Sequence, residues 1–100
     1  MEMIEDLFVG GSVTDLETVV YRLRRHIPVS HIYCIVLFGD RNRLEILSSK
    51  ELFHQRNRNR PAKLAGIAKG RGEAYELLAY MAETALEKGR DCSEPGELIR

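Results

Sequence analysis

KLAGIAKGRGEAYELLAYMAETALEK, residues 63–88, decides how this chain is read. Leu64, Ala65, Ile67 and Ala68 form a short apolar run between Pro61 and Gly70. The run is too short for a helix, and its punctuation predicts a buried strand. Gly70-Arg71-Gly72 then frees the backbone to turn sharply. A helix follows from about Gly72 to Lys88. At 3.6 residues per turn Ala74, Leu78, Met81, Ala82 and Ala85 share one face, which Tyr75, Ala79 and Leu86 widen. Glu73, Glu76, Glu83, Thr84 and Glu87 lie opposite, with Tyr80 among them. The apolar arc exceeds the ~100° stripe that one contact needs. It therefore predicts two contacts: the sheet, and either another helix or a second copy of the chain. Gly89 is the expected stop, with Lys88 and Arg90 favourable at the helix C-terminus.

Working outward, Thr14 and Glu17 have capping-box spacing, and Leu16, Val19, Val20, Leu23 and Ile27 define one helical face ended by Pro28. Arg22, Arg24, Arg25 and His26 crowd the end of that helix, where the dipole favours cations. HIYCIVLFG (31–39) holds the unbroken apolar run Ile32–Phe38, a central strand covered on both faces. Gly39-Asp40-Arg41-Asn42 is turn chemistry, and Leu44 and Ile46 alternate with polar residues in a second strand of the hairpin. KELFHQ (50–55) predicts a helical turn capped by Ser48 or Ser49, with Leu52 and Phe53 docking on the core. Residues 1–9 stay open between a strand and a helical turn.

The expected fold is α+β. Its order is α-β-β-β-α, with a small, mostly antiparallel three-stranded sheet and two helices packed on one face. The open second sheet face points to a homodimer. Residues 1–100 form one domain, in which 49–62 is expected to be a mobile basic loop and 90–100 a frayed C-terminal tail.

The chain balances 15 basic against 15 acidic residues. That argues against a dedicated nucleic-acid or membrane-surface protein, although patterning can hide a local patch. Cys34 and Cys92 form no C-x-x-C pair, and His26, His31 and His54 have no metal-ligand spacing, so no metal or cofactor is implied. The N-terminal MEMIEDLFVGG lacks a signal peptide's features, and no run nears the ~18 apolar residues of a membrane span. The expectation is a soluble, cytoplasmic protein with no membrane partner.

Three constellations bear on function. Arg56, Arg58 and Arg60 alternate in RNRNRPAK (56–63), so an extended loop would set them on one side toward nucleic-acid phosphates. In AKGRGEA (68–74), Lys69, Gly70, Arg71 and Gly72 precede a helix N-terminus, where a phosphate or carboxylate can be cradled. IVLFGDRNRLE (35–45) resembles the LFGS-R-x-R-G phosphate loop of minimal nucleotidyltransferase domains through Leu37, Phe38, Gly39, Arg41 and Arg43. Asp40 replaces the loop serine, and Leu44 replaces the following glycine. The D-x-D pair that holds the family's catalytic metal is missing. The resemblance thus implies at most a degenerate module without catalysis.

The first reading is a small non-enzymatic binding domain that forms a homodimer through Tyr75, Ala79 and Leu86 or the open sheet face. Nucleic-acid or phosphate-ligand binding is the alternative, and the degenerate nucleotidyltransferase-like module a second alternative.

Overall fold

The computed structural model describes residues 2–39, 43–57 and 60–89, with the backbone alone at Arg56. Its elements are β1 (Glu2–Val9), α1 (Leu16–Arg24), β2 (Ile32–Phe38), β3 (Arg43–Ser48), α2 (Ser49–Leu52), β4 (Ala62–Lys69) and α3 (Arg71–Glu87). A 3-10 turn, Gln55–Asn57, follows α2. The class is α+β, as expected, but the sheet has four strands and is mixed. Its order is β1-β4-β2-β3, with β2 antiparallel to both neighbours and β1 parallel to β4.

The added strand is β1. Three of its eight residues are acidic, none is fully buried, and its register with β4 shifts between Met3 and Phe8. A strand held by so irregular a ladder leaves no clean alternation to read.

The second correction concerns the layers. The helices do not share a face. Val19 and Leu23 of α1 and Leu52 of α2 pack with Ile32, Cys34, Val36 and Phe38 on one side of the sheet. Ala74, Leu77 and Met81 of α3 pack with Ile35, Ala65 and Ala68 on the other. The unbroken apolar run of β2 is thus covered from both sides within one chain. The open face that pointed to a dimer is occupied by α3.

α3 sits close because both surfaces are shallow. Ala65 and Ala68 of β4 pack with Ala74 of α3, and all three are buried. A Cβ added at Gly66 would stand 3.3 Å from both Ile35 Cδ1 and Leu77 Cδ2. Leu77, not part of the predicted face, is buried, whereas Leu78 and Ala82 are half-buried. Thr84, placed on the wet face, is also half-buried.

α1 begins later and ends earlier than its pattern suggests. Asp15 occupies the N-cap position with φ 51° and no side-chain cap bond, so Thr14 lies one residue outside and the Thr14–Glu17 capping box does not form. At the other end His26 takes φ 59° and its N–H donates to Leu23 O, while Ile27 N–H donates to Arg22 O at 3.0 Å. This left-handed residue closes the helix before Pro28. Ile27 is left outside the helix and 44% exposed. Of the two serines expected as cap, Ser48 serves: its hydroxyl accepts from Glu51 N, and Glu51 Oε1 accepts from Ser48 N.

Candidate binding surfaces

The glycine-rich turn before α3 is filled by the protein itself. Gly70 is the N-cap with φ 87°, a conformation open to glycine. Glu73, in the first turn, folds back over the helix start. Its Oε1 accepts from Lys69 N at 2.8 Å and its Oε2 from Ser12 N at 3.1 Å. Bonds from Ser12, then from the Lys69 amide, hold this carboxyl below the ordinary carboxylate range. Gly10 makes room for it, because a Cβ there would collide with the Glu73 side chain. Of the amides from Lys69 to Gly72, where an anion is expected from the sequence, Glu73 takes that of Lys69, and Gly70 N–H donates to His31 O.

Arg71 leaves the turn sideways. Its guanidinium lies 5.2 Å from the Tyr33 ring centroid and 3.8 Å from Glu51 Oε1. Hydrogen bonds with Tyr75, then Tyr33, hold it in the charged form. Arg60 is likewise engaged. It stacks over Phe38 at 3.7 Å and reaches Glu45 Oε2 at 3.2 Å and Asn57 Oδ1 at 3.1 Å. Lys69 is exposed, Arg56 lies on the 3-10 turn, and Arg58 lies outside the described residues. The structure does not bring Arg60 and Arg71 together as a phosphate site, because they stand beyond opposite ends of β4.

The hairpin that resembles a phosphate loop starts from buried Phe38, and Gly39 N–H donates to Pro61 O at 3.0 Å. Asp40, Arg41 and Asn42 lie outside the described residues, and Arg43 pairs with Phe38 in the β2–β3 ladder. A cleft of about 370 Å³ opens beside Gly39, between Arg60 and Lys63. Among the described residues no three His, Cys, Asp or Glu side chains converge on a metal position. Burial pushes the Cys34 thiol up to about 12, so it stays protonated.

The flank of α3 is different. Two anchors orient the helix. Tyr80 meets Phe8 of β1 edge-on at 6.3 Å, whereas Arg71 and Tyr75 turn toward Tyr33 of β2. By helical period Ala79, Ala82 and Leu86 share the Tyr75 side, which overlooks β3. Tyr75 is 57% and Leu86 63% exposed, and Ala79 is exposed as well. Below them Leu44 and Ile46 of β3 are half-buried against the α3 cluster with Leu78. The three positions singled out on the helix thus lie along the outer rim of the molecule, beside an edge strand. Leu44 and Ile46, which complete this surface, were visible in the sequence only as the alternation of a half-exposed strand.

No protein-family model, curated protein or solved structure matches the chain. No helix among the described residues is long and apolar enough to cross a membrane.

Proposed function

We propose that this domain works by binding, and that its first partner is a second copy of itself, joined along β3 and the adjoining flank of α3. The observation that carries the reading is the contrast between the two sheet edges. β1 is protected in the manner of natural edges: Glu2, Glu5 and Asp6 charge it, and its pairing is irregular. β3 pairs with β2 in unbroken register from Arg43 to Ser48 and contains neither proline nor lysine. Its one arginine and one glutamate balance, so two copies do not repel.

Antiparallel pairing of two β3 strands about a two-fold axis extends the sheet to eight strands. Side chains opposite one another in such a pair share a face. Leu44 and Ile46 of both copies then lie beneath both α3 flanks, and Tyr75, Ala79 and Leu86 are covered. The contact is isologous and closes on itself.

Hydrogen exchange on the full chain at low and high protein concentration tests this. β3 amides gain protection as concentration rises, while those of β1, the other edge, do not. Protection of β3 that ignores concentration across the monomer–dimer range, or a gain confined to β1, contradicts the assignment.

A further inference from the structure

The formal neutrality of the chain conceals a separation of charge across the sheet. The outer face of α3 carries Glu76, Glu83 and Glu87, all exposed. On the opposite side, the end of α1 carries Arg22, Arg24 and Arg25, all exposed, against a single glutamate, Glu17, in that helix. None of these three guanidinium groups has a carboxylate partner among the described residues. They differ in this from Arg60 and Arg71, which Glu45 and Glu51 engage.

Rings stand on the same ridge. Arg25 lies 3.9 Å over the Tyr21 ring, and Tyr21 is 55% exposed. His26 stacks on Phe53 with centroids 5.1 Å apart and planes 11° from parallel. That stack joins the end of α1 to the end of α2. The 3-10 turn Gln55–Asn57 follows two residues after Phe53.

We infer that this ridge, from the last turn of α1 to the His26–Phe53 stack, binds the phosphate backbone of a nucleic acid. Arginine forks suit phosphate oxygens bidentately, and unpaired, exposed arginines need not break an ion pair to bind. Adjacent aromatic rings offer the stacking surface that single strands use. A lipid headgroup would be met by the same charges, but it has no use for the stacked rings. The inference is independent of self-association, because the ridge and the β3–α3 rim use different elements.

Fluorescence anisotropy with the full chain tests it, using labelled single-stranded RNA, single-stranded DNA and duplex DNA from about 50 to about 200 mM salt. The wild type is expected to bind at least one probe with affinity that falls as salt rises. Replacing Arg22 and Arg24 together by glutamine should flatten the log–log salt slope by about 1.4–1.8, at roughly 0.7–0.9 per lost phosphate contact. Arg71→Gln should leave binding unchanged, and circular dichroism shows whether each variant is folded. Three results overturn the inference: no binding at the lowest salt, a folded double variant that binds like wild type, or binding to phosphatidylserine vesicles with none to nucleic acid.

Discussion

Glu73 ties the head of α3 to two other parts of the chain. Three separated segments depend on it: the turn after β1 through Ser12, the end of β4 through Lys69, and α3 itself. Its carboxyl is held below the ordinary range, so on acidification the unfolded chain takes up that proton first. The stabilisation is therefore complete above the unfolded carboxylate range and lost as pH falls through the folded value. Glu73→Gln should lower stability near neutral pH by about 1 kcal/mol, the usual net worth of a hydrogen bond. The gap from wild type should close as pH falls through the folded value of this carboxyl. Thermal melts across pH check this, and a gap independent of pH would refute it. Gly10→Ala should act through the same contact, since its methyl would fall on the Glu73 side chain. The two changes combined should destabilise less than their sum, which a double-mutant cycle in urea reads directly.

Among the elements, β4 and α3 explain why the sheet can be covered twice by so short a chain. Gly66 lets Ile35 and Leu77 close over the strand. Gly66→Val should overpack that contact and destabilise by about 1–3 kcal/mol, measured by urea unfolding. A neutral effect would mean that α3 is free to move away. β2, β3, β4, α3 and the Ser48 cap were legible because each has a local signal: an apolar run, an alternation, or a hydroxyl three residues before a glutamate. β1 was not, since only its pairing with β4, some sixty positions away, makes a strand of Glu2–Val9. The side taken by α3 was not legible either. Amphipathicity says how much of a helix is buried, but not against which sheet face. At the candidate site, Tyr75, Ala79 and Leu86 could be read from helical period. The engagement of Arg60 and Arg71 could not, because Glu45 and Glu51 are partners that only the fold supplies.

At the scale of the molecule, three surfaces differ in character. The α3 outer face is acidic, the α1 ridge is basic, and the rim between α3 and β3 is apolar. With α3 closing the second sheet face, the proposed self-association is assigned to this rim. Joining two copies there would place both α1 ridges on one side of a continuous sheet, since antiparallel pairing about a perpendicular axis preserves the faces. The most direct test is the solution mass by light scattering, for the wild type and for Leu86→Lys. Lysine suits the C-terminal turn of α3 and leaves the core untouched. We predict a wild-type dimer and a folded variant monomer with an unchanged circular dichroism spectrum. A wild-type monomer at the highest workable concentration, or a dimer indifferent to the charge at position 86, would contradict the account.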